Sequence, residues 1–220
     1  VNQGRGHASR HSVPPTFSDL MEQQNIKICV IGLGYVGLPL ARLFSTQYPT
    51  IGFDVNQHRV DEIMSCHDST CEVDDELLTD AITNHHFSCT TDEQRIRDCN
   101  FYIVAVPTPV DHNNHPDLSP LISASRTVGR VIGKGDIVVY ESTVYPGVTE
   151  EVCVPTIEQV SRLTFNADFF VGYSPERVNP GDKTHTVEHI LKVTSGSTAD
   201  TAETIDRVYR SVLLNGTHRA

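Results

Sequence analysis

The chain has 220 residues, 17 Lys plus Arg against 28 Asp plus Glu, a formal charge of -11 and a hydrophobic fraction of 38%. That length holds one good core, or one core and a small appendage, and excludes a large multidomain assembly. The acidic balance and the lack of a Lys/Arg-rich block exclude the counterion release on which most nucleic-acid binders depend, argue against a membrane surface as partner, and, with no apolar run long enough to span a bilayer, set the expectation of a cytoplasmic protein.

Residues 1–24 are rich in Gly, His, Ser, Pro and Gln, lack apolar periodicity, and read as a disordered leader or an appended tail. From residue 26 onward short β-branched runs alternate with helical patterns. Strand 26–32, helix 35–47, strand 50–54 and helix 57–66 open the series as a βαβ unit. The acidic stretch 72–76 starts a helix to about 84, followed by strand 87–90, helix 92–98 and strand 101–106. Ser119 is expected to cap a helix to about 132, and strand 137–141 follows. Pro146 is expected to open a helix to about 160, before strands 169–173 and 190–194 and a last helix 199–213. Strands apolar on both faces and separated by helices call for an α/β fold of Rossmann type: a doubly wound, mainly parallel sheet with helices on both faces. The domain is expected over 25–197, with 198–220 as the truncated start of a central helical region and the tail 215–220 following its helix without a capping element.

The six cysteines, Cys29, Cys66, Cys71, Cys89, Cys99 and Cys153, contain no CxxC pair and read as structural thiols, not as a disulfide framework. His112 and His115 lie in the polar run 111–117, which reads as a loop; ligand spacing is lacking there, and no metal is expected.

The strongest local signal is Gly32-Leu33-Gly34-Tyr35-Val36-Gly37, a GxGxxG between a predicted strand and a predicted helix. Gly32 permits the tight turn, Gly34 lets backbone amides approach a pyrophosphate, and Gly37 lets the helix pack close on the sheet. Asp54, twenty positions after Gly34, ends the next strand, where a carboxylate accepts both ribose hydroxyl protons and repels a 2′-phosphate. NAD is therefore expected, in preference to NADP. Arg59 on the following helix reads either as a contact to adenine or phosphate or as a solvated surface charge.

Three further strand ends are polar. Pro107-Thr108-Pro109 is a rigid turn after 101–106; Glu141-Ser142-Thr143 places hydroxyls that serve as helix caps, as pocket groups, or as both. Ser174-Pro175-Glu176-Arg177-Val178-Asn179-Pro180 is a dense polar cluster in which Glu176 and Arg177 either pair on the surface or line a pocket.

Jointly, Gly32 to Pro39, Val106-Pro107-Thr108-Pro109, Glu141-Ser142-Thr143-Val144 and Ser174-Pro175-Glu176-Arg177 resemble the nucleotide-sugar 6-dehydrogenases, which oxidise UDP-sugars to UDP-uronic acids. The segment 173–183 is most similar to the branch acting on UDP-N-acetylhexosamines; Pro180 stands where the UDP-glucose branch carries a second glutamate. The resemblance implies oxidation of a sugar C6 alcohol to a carboxylate with two NAD per turnover, through a thiohemiacetal and a thioester on a cysteine. It implies that Thr143 holds the active-site water, that Glu176 activates it, and that Thr108 and Ser142, with Pro107, line the nicotinamide side. Glu176, Arg177 and Asn179 would meet the UDP-sugar. The family's nucleophile segment, its central-helix Lys and Asn and its UDP-binding domain are not in this sequence, so the chain resembles the amino-terminal cofactor part of a longer, homodimeric enzyme, inactive alone. A UDP-glucose 6-dehydrogenase and a free-standing, non-catalytic NAD-binding module remain alternatives. A hydroxyacid dehydrogenase of phosphogluconate type shares the glycine turn, but the strand-end motifs oppose it.

Overall fold

A computed structural model describes residues 26–110, 115–176 and 187–220; His112, Arg177 and Asn179 lie outside the described residues. The chain runs β1 (Ile28–Ile31), α1 (Gly37–Ser45), β2 (Thr50–Phe53), α2 (Gln57–Met64), α3 (Asp75–Asn84), β3 (Ser88–Thr90) and β4 (Phe101–Val104). It continues with α4 (Ser119–Val131), β5 (Ile137–Tyr140), α5 (Val154–Ser161), β6 (Phe170–Tyr173), β7 (Lys192–Gly196), α6 (Ala199–Arg210) and β8 (Thr217–Arg219). Among the described residues the strands form one sheet in the order β3-β2-β1-β4-β5-β6-β7-β8. The pairs from β3 to β6 are parallel, β7 runs antiparallel to β6, and β8 is parallel to β7.

The pleat explains the two cores. Ile28, Phe101 and Ile137 are paired in register, as are Val30, Ile103 and Val139, and both rows face the apolar stripes of α1, α2, α3 and α6. The alternate rows, Cys29-Tyr102-Val138 and Ile31-Val104-Tyr140, face α4 and α5. Because the central strands are buried on both sides, no polar alternation is available to them, and the expected doubly wound, mainly parallel sheet follows.

Several sequence expectations are corrected in detail. The helix expected at 92–98 is one 3-10 turn, Glu93–Ile96, capped by Asp92, whose side chain accepts the Gln94 amide. Ser119 does not cap α4; its amide donates to Asp117 Oδ1 at 2.8 Å, so Asp117 supplies the acceptor. Pro146 opens no helix: helical structure begins with a π turn, Thr149–Cys153, which passes into α5. Pro155, which cannot donate an intrahelical bond, sits at that junction. The last helix ends at Arg210 and packs on β6 and β7, and β8 adds to the same sheet beyond it. Residues 198–220, expected from sequence as the truncated start of a central helical region, hold α6 and β8. No described helix is long and apolar enough to cross a membrane.

Candidate functional site

Strand order reverses between β1 and β4, so the loops leaving the carboxyl ends of β1, β4 and β5 part there and open a crevice. The glycine turn forms one side of it. Gly32 has φ +90°, and a Cβ there would lie 2.9 Å from the Ala105 carbonyl oxygen. A Cβ on Gly37 would lie 1.7 Å from the Gly32 carbonyl oxygen, so α1 and the turn touch backbone to backbone. Gly34 differs from both: a Cβ there meets nothing within 4 Å. The chain's own packing accounts for the first two glycines, and open space for the third. Beside it α1 begins at Val36 without a side-chain cap and without an acidic residue in its first turn, so the positive end of the helix dipole is not neutralised by these groups.

Two charged side chains clamp this turn through Leu33. Asp54 Oδ2 accepts the Leu33 amide at 2.9 Å, while its Oδ1 accepts the Asn56 amide at 2.9 Å. Arg59 Nε donates to the Leu33 carbonyl at 2.9 Å, and its Nη2 donates to Asp68 Oδ1 at 2.7 Å. Arg59 is buried, which corrects the reading of it as a solvated helix-face charge. Asp68 in turn accepts the amides of Thr70, Glu72 and Val73, so the segment after α2 is tied to the glycine turn through one guanidinium. Burial favours the neutral acid, yet the bonds from Thr70, Arg59 and Val73 hold the Asp68 carboxyl below its ordinary range.

Next to the turn lies a cleft of about 160 Å³. It brings together Gly34, Tyr35 and Val36 from the turn, Pro107 and Thr108 after β4, Ser142 and Thr143 after β5, and Glu176 after β6. Gly32, Leu33, Gly37, Asp54 and Arg59 shape the neighbouring turn and do not line this cavity. Ser142 Oγ donates to the Val106 carbonyl at 2.6 Å, and Thr108 Oγ1 donates to the Thr143 carbonyl at 2.8 Å. These reciprocal bonds stitch the ends of β4 and β5 into one wall and leave hydroxyl lone pairs for a ligand. Neither Ser142 nor Thr143 caps a helix, since the next helical turn has Val148 at its N-cap position. Arg177 and Asn179 lie outside the described residues, so their placement relative to Glu176 is not part of this geometry.

Beneath the cleft is a charged cluster that sequence reasoning did not assemble. Lys192 on β7 has a fully buried side chain and donates to Glu141 Oε2 at 2.5 Å, to Glu176 Oε2 at 3.0 Å and to the Pro175 carbonyl at 3.4 Å. Tyr209 of α6 donates to the other Glu141 oxygen at 2.5 Å. Burial pushes the Glu141 carboxyl up, Lys192 pulls it back, and Glu176 raises it further. Burial alone would lower Lys192, but Glu141 and Glu176 together hold it above its ordinary value, so it is a cation. The signal was present as a Lys inside an apolar strand run, Leu191-Lys192-Val193, with two glutamates at neighbouring strand ends; only the sheet order brings the three together.

No cysteine lines the cleft. Cys29, Cys89, Cys99 and Cys153 are buried, and burial pushes the Cys89 thiol up to about 12 and raises Cys29 and Cys153. Cys66 is half-buried and Cys71 exposed, so the reading of all six as structural thiols does not extend to Cys71.

Comparison with known proteins gives consistent relatives. The UDP-glucose/GDP-mannose dehydrogenase family, NAD binding domain, matches residues 26–213. A UDP-N-acetyl-D-glucosamine 6-dehydrogenase of Pseudomonas aeruginosa is 54% identical over 197 residues, which are 90% of this chain and 46% of the relative. One from Salmonella typhi is 53% identical over 195 residues, 89% of this chain and 45% of that one. Among solved structures, an NDP-N-acetyl-D-galactosaminuronic acid dehydrogenase from Methanosarcina mazei superposes with a TM-score of 0.84 at 27% identity, covering 91% of this chain and 45% of its own. The chain spans about half the length of the curated relatives it matches.

Proposed function

We propose, since the chain belongs to the UDP-glucose/GDP-mannose dehydrogenase family as its NAD-binding domain, that it forms the cofactor half of a longer UDP-N-acetylhexosamine 6-dehydrogenase serving bacterial surface polysaccharide precursor synthesis. The carrying observation is Gly34: its missing side chain faces open space beside an uncapped helix N-terminus, with the Asp54 carboxylate fixed on the same turn. That is a seat for a pyrophosphate joined to a ribose, and the residues fit NAD.

When bound, NAD supplies a hydride acceptor. The chain's own residues do the rest. The backbone at Gly34 and the start of α1 take the phosphate charge, and Asp54 accepts ribose hydroxyl protons and repels a 2′-phosphate. Leu33, Tyr35 and Val36 present the backbone of the turn, while Gly32, Gly37 and Arg59 hold its shape. Thr108 and Ser142, with Pro107, wall the nicotinamide side. Thr143 holds a water in the cleft, and Glu176 takes a proton from it as its oxygen bonds to the thioester carbon and the C–S bond to the longer protein's cysteine breaks, releasing the carboxylate and the thiolate. Arg177 and Asn179 contact the UDP-sugar, and the longer protein is a homodimer in the cytoplasm. Six free thiols agree with a reducing compartment.

The test is an assay of NADH formation with UDP-GlcNAc, UDP-GalNAc and UDP-glucose. This chain with NAD is expected to produce none, and the full gene product, if it extends to the length of the relatives, to reduce two NAD per UDP-N-acetylhexosamine. NADH from this chain alone, or preference for UDP-glucose, overturns the reading.

A further inference from the structure

Leu33 is gripped on both of its peptide groups by side chains of opposite charge. Asp54 Oδ2 accepts its amide and Arg59 Nε donates to its carbonyl, each at 2.9 Å. The Leu33 side chain is buried and packs over Gly52, where a Cβ would lie 2.9 Å from its methyl carbons. The carbonyl of Leu33 and the amide of Gly34 belong to one planar trans peptide, so they point in opposite directions. Fixing the carbonyl on Arg59 therefore aims the Gly34 amide away from the guanidinium. That amide has no acceptor among the described residues, and Gly34 borders the cleft.

Arg59 keeps this direction only while its own head is fixed, and Asp68 fixes it. Asp68 Oδ1 accepts Arg59 Nη2 at 2.7 Å together with the amide and hydroxyl of Thr70, and Oδ2 accepts the amides of Glu72 and Val73. Glu62 Oε1 takes Arg59 Nη1 at 3.3 Å. The Asp68 side chain is wholly buried and does not line the cleft, so it acts on a ligand there through Arg59 and Leu33. We infer that Asp68 is a positioning residue for the cofactor's pyrophosphate: by locking the Arg59 guanidinium it orients the Leu33–Gly34 peptide and holds the Gly34 amide toward the phosphate oxygens. This rests on the proposed seat at Gly34. Charge alone gives the opposite expectation. A carboxylate behind the turn repels phosphate, and an Arg59 released from it would be free to turn toward the ligand, so removing the Asp68 charge would tighten binding. Positioning requires that the same change weaken it.

The experiment is an NMR titration of the isotope-labelled chain with adenosine, ADP-ribose and NAD, with melting curves as the folding control. In the parent the Gly34 amide proton is expected to move downfield with ADP-ribose and NAD, which carry the pyrophosphate, and to stay in place with adenosine. Asp68→Asn is expected to bind ADP-ribose and NAD about tenfold more weakly, the size of one lost hydrogen bond to a charged group, and adenosine within about twofold of the parent. Arg59→Lys, whose single ammonium cannot span Leu33 and Asp68, is expected to show the same split, and it decides if Asp68→Asn fails to fold. Loss of packing alone would weaken all three ligands together. That result, unchanged or tighter ADP-ribose binding in the variants, or a Gly34 amide that ADP-ribose leaves unmoved in the parent, overturns the proposal. A folded parent that binds none of the three sinks the cofactor seat and the proposal with it, whereas NAD binding that Asp68→Asn leaves intact sinks the proposal alone.

Discussion

At Gly34 and Gly37 the same single methyl group would meet opposite surroundings. On Gly37 it would overlap the Gly32 carbonyl oxygen at 1.7 Å, and the backbone contact between α1 and the turn offers no flexible atom to give way. Gly37→Ala is therefore expected to destabilise the chain by about 1–3 kcal/mol or more, read from chemical denaturation. Gly34→Ala meets only open space and should melt with the parent, yet weaken NAD binding at least tenfold by calorimetry, because the methyl occupies the phosphate's approach. Equal NAD affinity in that variant would contradict the site. Asp136 gives a residue-scale pH effect. Burial pushes its carboxyl up to about 6, against the pull of the Gly133 amide, while the unfolded value is about 3.9. A raised carboxyl contributes stability that is present below pH ~3.9 and lost as pH rises through 6. Asp136→Asn, which keeps an acceptor for Gly133, should then gain about 1–3 kcal/mol at pH 7 and close to nothing at pH 4. A gain of the same size at both values, from melts at each pH, would refute that account.

The elements around the glycine turn owe their order to Arg59. Its guanidinium joins the Leu33 carbonyl to Asp68, and Asp68 organises the backbone from Thr70 to Val73. The Asp68 side chain is wholly buried, so Arg59→Met leaves a buried charge unpaired and should cost about 3–5 kcal/mol. Amide exchange should accelerate first at residues 68–73; uniform acceleration across the sheet would mean that the strut has no local role. Both the legibility of the fold and its limit show at this scale. β1, β4 and β5 are apolar on both faces and read as central parallel strands without help. β8 is three residues, Thr217–Arg219, polar and at the sheet edge; its pairing with β7 depends on tertiary contact and not on local pattern. Arg59 was ambiguous because an arginine on a helix gives no sign of whether a buried aspartate waits nine residues on. The 92–98 segment looked helical because an Asp cap and an apolar Ile96 also suit a single 3-10 turn.

Over the whole molecule, sheet order is what turns separate polar strand ends into a site. Gly34, Thr108, Ser142, Thr143 and Glu176 were each legible in sequence as loop residues following strands, and the order β1-β4-β5-β6 places them on one cleft. Lys192 was not legible as a partner of Glu141 and Glu176, because β7 runs antiparallel to its neighbour and delivers the lysine from the opposite direction. A chain that belongs to this NAD-binding domain family is expected to seat NAD at this cleft and its glycine turn. The decisive measurement is calorimetric titration of the parent chain and Asp54→Ala with NAD and NADP. Saturable NAD binding, tighter than NADP, and weakened about 10- to 100-fold in Asp54→Ala, is the predicted result, the size expected for lost hydrogen bonds to a charged group. Absence of NAD binding by the folded chain, or equal affinity for NADP unaffected by Asp54→Ala, would contradict it.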